Sequence, residues 1–123
     1  MSIRKFLIVA IAALPAFAPA QAQDFPTRPI TLVIPFAPGG STTIVGRGVA
    51  EKMSALLGEK IIVDNRPGAG GTVGTRAVAK SEPDGYTLLL GYTGTLAIGP
   101  SLYKKAGYDP RKDFAPVGMI GNA

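Results

Sequence analysis

Ile30-Thr31-Leu32-Val33-Ile34 runs straight into Pro35-Phe36-Ala37-Pro38-Gly39-Gly40-Ser41, and this junction decides the fold. The first five residues are apolar or β-branched and sit between Pro29 and Pro35, so they read as a buried strand. The proline and glycine cluster that follows is a turn. The period then changes. Val45, Val49, Met53 and Leu56 recur at i, i+4, i+8 and i+11, while Arg47, Glu51 and Lys52 lie off that stripe. This spacing predicts an amphipathic helix from Thr42 or Thr43 to Leu57, with Ser41 or Thr42 as N-cap and Gly58 just past its end.

Downstream the same unit recurs. Lys60–Asp64 is a second strand, Asn65–Gly71 a second glycine loop and Thr72–Lys80 a short helix. Pro83-Asp84-Gly85 is a turn, Tyr86–Leu90 a third strand and Gly91–Thr95 a third glycine loop. Leu96–Leu102 gives one or two helical turns interrupted by Pro100, and Val117–Ile120 reads as the start of a fourth strand. Alternating strands and helices imply right-handed parallel crossovers, hence an α/β class with a mostly parallel sheet.

In such sheets ligands bind beyond the carboxyl ends of the strands, where all three glycine loops fall. Glycine permits close backbone approach there, and each following helix adds orphan N–H donors and about half a unit of positive charge. Such a site suits carboxylate or phosphate without a Lys or Arg. Any one tight turn needs glycine on conformational grounds alone. It is three loops on one edge that point to a binding site.

Composition removes most chemistries. The 123 residues contain no Cys, His or Trp, so thiolate nucleophiles, imidazole bases and ordinary zinc sites are absent. Gly 16 and Pro 11 are high, but 46% hydrophobic residues is a folding composition, so they mark turns. No glycine is followed by Lys and then Ser or Thr, which excludes a P-loop. A dinucleotide fingerprint on Gly68 and Gly70 would need glycine at 73, where Val stands. Ser41, Thr42 and Thr43 carry hydroxyls with no evident base and read as helix caps. Asp64 and Arg66 read as a surface pair worth under ~1 kcal/mol, and Asp84 as a turn residue. Tyr86, Tyr92, Tyr103 and Tyr108 show no stacking periodicity, and no carboxylate pair suggests acid–base work. The chain reads as a binder, not an enzyme, with no cofactor and no metal.

Residues 1–22 read as a cleaved export signal. Arg4 and Lys5 precede the 12-residue apolar run Phe6–Phe17, and Ala20-Gln21-Ala22 offers the small residues of a cleavage site before Gln23. That run is too short for a membrane span, which takes about 20 residues. Without Arg4 and Lys5, residues 23–123 carry 11 basic and 8 acidic side chains, or +3 against +5 for the whole chain. So small and scattered a charge is no nucleic-acid footprint. The expected location is the periplasm.

Five motifs then follow in order: Phe25–Ile30, Val33–Gly40, Asp64-Asn65-Arg66-Pro67-Gly68-Ala69-Gly70-Gly71, Pro83–Leu89, and Tyr108-Asp109-Pro110 with Lys112–Val117. Together they resemble the periplasmic solute-binding proteins of tripartite tricarboxylate transporters, the Bug family. The resemblance implies a periplasmic-binding-protein-like, type II Venus-flytrap fold, with an organic mono-, di- or tricarboxylate clamped between two α/β lobes. It also implies delivery to membrane permease subunits, and a monomer when full length. Carried onto this chain, the ligand contacts would come from Ala37, Gly39, Gly40 and Ser41, and from Thr93, Gly94 and Thr95. Gly68–Gly71 is the weaker candidate, able to shape the cleft alone.

Two positions depart from the family pattern, Thr43 for a usual Asp and Gly46 for a usual Ala. Gly46 should cost roughly 1 kcal/mol of helix stability. Family members are also about two and a half times longer. Residues 23–123 therefore correspond to a truncated first lobe only, expected to be a fragment or truncated reading frame. A ligand-presenting sensory protein for a membrane receptor, or a non-functional truncated remnant, are the alternative readings.

Overall fold

The computed structural model describes residues 24–103 and 105–121; the export signal read at residues 1–22 lies outside them. Three parallel strands form the sheet: β1 (Ile30–Ile34), β2 (Ile61–Asn65) and β3 (Thr87–Leu89), in the order β2-β1-β3. Ile30 pairs with Ile61 and Ile34 with Asn65 on one side of β1, and Thr31 pairs with Thr87 and Val33 with Leu89 on the other. β2 and β3 each begin one residue later than their apolar runs suggest, and β3 also ends one earlier.

Helix α1 (Ser41–Leu57) links β1 to β2, and α2 (Thr72–Ala79) links β2 to β3. The strands alternate sides, so Ile30 and Leu32 share a face. α1 covers that face through Ala50, making a core with Ile61 that Met53, Val63, Leu88 and Leu90 flank. The crossover from β1 to β2 and the one from β2 back past β1 to β3 run in opposite directions along the sheet, and right-handedness therefore puts α2 on the other face, where Val33 is buried. Among the described residues no helix is long and apolar enough to cross a membrane.

Three expectations are corrected. The N-cap of α1 is Gly40, and no side chain caps the helix. Ser41 is its first residue, and Gly40, with extended backbone, receives the Thr43 and Ile44 N–H groups on its carbonyl. Second, of the stripe Val45, Val49, Met53 and Leu56 only Met53 packs on the core. Thr43, Gly46 and Ala50 are buried, while Val45 is 47% and Leu56 86% exposed. Small residues let the helix settle closer to the sheet than a valine stripe would allow; a Cβ on Gly46 would stand 2.5 Å from Ile34 Cδ1. Third, Val117–Ile120 forms no strand, and Val117 and Met119 are largely exposed. A strand needs a neighbour for its backbone groups, and none of the described residues supplies one.

Other readings hold. Gly58 ends α1 in the left-handed conformation, φ 72°, with its N–H on the Ser54 carbonyl. Ser54 Oγ in turn accepts the Ile61 N–H at 2.9 Å, fixing where β2 starts. Asp84 is a turn residue, its Oδ1 accepting the Tyr86 N–H. At the amino end of the sheet Arg28 lies 3.8 Å over the Tyr86 ring and 2.8 Å from Asp84, while Phe25 packs edge-on against the same ring. The Thr27 hydrogen bonds draw the Tyr86 hydroxyl below its ordinary pKa.

Candidate functional site

At the other end of the sheet, the chain leaves β1 towards one side and returns on the opposite side as β3. The carboxyl ends of β1 and β3 therefore flank the crevice where α/β sheets take their ligands. Three loops close around it. Asn65, the last residue of β2, donates from Nδ2 to the Phe36 carbonyl and to Thr43 Oγ1, 3.0 Å each. Thr43 Oγ1 reaches the Ala37 carbonyl at a long 3.4 Å. One amide side chain thus ties the end of β2 to the loop after β1 and to the first turn of α1. The phenyl ring of Phe36 meets the Tyr92 ring edge to face at 5.5 Å, joining the first loop to the third.

The second loop is the packing centre. Ala69–Gly71 makes a 3₁₀ turn, and Gly71 has φ 93°. A Cβ there would stand 2.6 Å from Thr95 Cγ2 and 3.3 Å from both the Phe36 ring and the Pro35 carbonyl. Only glycine lets the three loops meet so closely. Gly74, one turn into α2, similarly sits against the Arg66 carbonyl, where a Cβ would come within 2.7 Å.

The residues carried from the sequence fall into two exposed groups and one buried position. Ala37, Gly39, Gly40 and Ser41 are exposed around the start of α1. Thr93 is exposed and Gly94 half-buried on the facing loop. Thr95 is 1% exposed, and both its N–H and its Oγ1 donate to the Tyr92 carbonyl at 3.0 Å. Its side chain is therefore spent on holding the loop. Gly39 has φ 94°, which keeps the backbone at the rim free of a side chain. No Asp or Glu occurs in Phe36–Arg47 or Gly91–Tyr103, and no side chain caps the first turn of α1. The crevice therefore presents hydroxyls, backbone amides and the positive end of a helix dipole, a combination suited to an anion. Among the described residues no three His, Cys, Asp or Glu gather into a metal-holding group.

Two residues matter here that sequence reasoning passed over. Asn65 was visible only as part of a motif, since nothing local reveals that its amide reaches back to Phe36. Tyr108 donates its hydroxyl to the Thr95 carbonyl. Burial pushes that hydroxyl above its ordinary pKa, with Thr72 and Arg76 pulling partly back. A separate shallow groove lies between α1 and the edge strand β2, lined by Arg47, Glu51, Ser54 and Lys60. It mixes both charges and includes none of the loop residues.

The chain matches the family described as Tripartite tricarboxylate transporter family receptor over residues 45–123. It is 46% identical to Protein BugT of Bordetella pertussis over 106 residues, covering 85% of this chain and 32% of that one. Among solved structures, it resembles the periplasmic binding protein BugD with 50% identity and a TM-score of 0.73, over 76% of this chain and 31% of that one. MatC of Rhodopseudomonas palustris, solved with bound malate, gives 44% identity and a TM-score of 0.75, over 78% and 33% of the two chains. The fold is thus that of part of a periplasmic-binding-protein lobe, and the chain spans about a third of the length of the relatives it matches.

Proposed function

The chain belongs to the tripartite tricarboxylate transporter receptor family, and from that premise we propose that it supplies the first-lobe half of a carboxylate-binding cleft. The protein works outside the cytoplasm and hands its ligand to the membrane permease subunits of the transporter. The single observation behind this reading is the meeting of three glycine loops at the carboxyl ends of β1 and β3, with an uncapped helix start and no carboxylate among them. MatC with malate indicates the ligand class. Gly39, Gly40 and Ser41 would bind one carboxylate through N–H and hydroxyl donors, and Thr93 and Gly94 would approach it from the facing loop. Thr95 contributes through its backbone and by holding that loop. A receptor role asks for no bond making, and the site has no base to offer.

The test is thermal unfolding of the protein at its full natural length with malate, adipate and citrate at millimolar concentration. A ligand at 100 times its dissociation constant adds about 2.7 kcal/mol, enough for a clear rise in Tm. A flat response to all three acids would count against carboxylate binding. Recovery of the protein in the cytoplasmic fraction of its host would count against the proposed location.

A further inference from the structure

The third glycine loop, Gly91–Thr95, runs into a π turn, Gly94–Ile98, whose hydrogen-bond register meets Pro100. Its hydrogen bonds run five residues forward, as in the Gly99 N–H to the Gly94 carbonyl. The next acceptor in that register is the Thr95 carbonyl, and its donor would be the N–H of residue 100. Residue 100 is proline, which has none. Thr95 is fully buried, so its carbonyl must find another partner or bear the cost of desolvation.

The partner is the Tyr108 hydroxyl, which donates to that carbonyl at 2.5 Å. Tyr108 is delivered by a short strap held on α2. Arg76 Nε donates to the Ala106 carbonyl at 2.8 Å, and Gly107, φ 80°, leaves room for the guanidinium, since a Cβ there would stand 2.6 Å from Nε. Phe114 packs edge-on against the Tyr108 ring. The other groups of Thr95 are all committed, its N–H and hydroxyl to Tyr92 and its methyl against Gly71.

We propose that Tyr108 is the positioning residue of the candidate carboxylate site: it supplies the hydrogen bond that Pro100 withholds and so sets the conformation in which Thr93 and Gly94 face a ligand. The inference rests on the functional reading above. Tyr108 itself touches no ligand; it acts through Thr95.

Tyr108→Phe keeps the ring and its contact with Phe114 but removes the donor. In the protein at its full natural length this change is expected to weaken malate binding about tenfold, the equivalent of one net hydrogen bond. Deuterium exchange at Leu96, Ala97, Ile98 and Gly99 should accelerate while the sheet amides stay protected. Pro100→Ala restores a backbone N–H in the right register, so Y108F/P100A is expected to regain both affinity and protection. A phenol that merely packed the strap would not be rescued from position 100. Unchanged affinity and exchange in Y108F would overturn the proposal, as would a loss that P100A leaves unrepaired. If the unsubstituted protein binds neither malate, adipate nor citrate, the functional reading falls separately and exchange alone decides the role of Tyr108. Acceleration reversed by P100A then upholds its hold on the loop, and equal exchange overturns it.

Discussion

Gly71 and Thr95 meet so closely that a Cβ on the glycine would lie 2.6 Å from the threonine Cγ2. This contact joins the loop after β2 to the loop after β3, with the Pro35 carbonyl of the first loop 3.3 Å away. Gly71→Ala therefore carries two penalties, a left-handed backbone at φ 93° and an overpacked junction. Together these should cost about 3 kcal/mol. Chemical denaturation checks it; a loss below about 0.5 kcal/mol would mean the loops can part freely, within the ordinary range of surface changes.

Gly46 and Gly48 make a controlled pair on α1. Gly48 has nothing within 4 Å of its missing Cβ, so Gly48→Ala should gain about 1 kcal/mol from helix propensity alone. Gly46→Ala gains the same propensity but drives a methyl to 2.5 Å from Cδ1 of the fully buried Ile34. Overpacking of about 1–3 kcal/mol should cancel or exceed the gain. The two midpoints in urea should move apart. Equal stabilisation by both would show that α1 sits farther from the sheet than described.

Asn65→Asp tests the tie between β2 and the first loop. The carboxylate keeps the shape of the amide but loses the N–H groups that serve Phe36 and Thr43, and it faces a carbonyl oxygen instead. A loss of about 1–3 kcal/mol is expected, together with weaker malate binding. Full retention of both stability and affinity would remove Asn65 from the site's support.

The Tyr108 hydroxyl titrates above its ordinary value because it is partly buried. A raised folded-state pKa means the folded chain holds this proton more tightly than the unfolded chain. Its contribution is thus fully present below the unfolded pKa of about 10 and is lost as pH rises through the folded value. Unfolding followed against pH should show a steeper alkaline decline in the unsubstituted protein than in Y108F. Parallel curves would contradict the assignment.

Much of the fold was legible because it is written locally. The runs at Ile30–Ile34, Lys60–Asp64 and Tyr86–Leu90, with glycine loops after each, led to a parallel sheet through right-handed crossovers, whereas the order β2-β1-β3 depends on pairings across the fold that no local run encodes. The face of α1 was misjudged because periodicity tracks the large apolar residues, whereas the sheet selects the small ones that allow close approach. Val45 and Leu56 stay exposed while Thr43, Gly46 and Ala50 go inside. Val117–Ile120 has a strand's composition without a strand's partner. The site loops could be read from their glycines, but their fixings could not. Asn65 to Phe36 and Tyr108 to Thr95 are contacts across the fold, and the second depends on a hydrogen that Pro100 does not have.

The most direct test of carboxylate binding at the three loops is a malate titration followed by amide resonances in the isotope-labelled protein at its full natural length. Saturable shifts at Gly39, Gly40, Ser41, Thr93 and Gly94, with Arg47, Glu51 and Lys60 of the α1–β2 groove unmoved, are the predicted result. Shifts confined to that groove, or none at saturating malate, adipate and citrate, would contradict it.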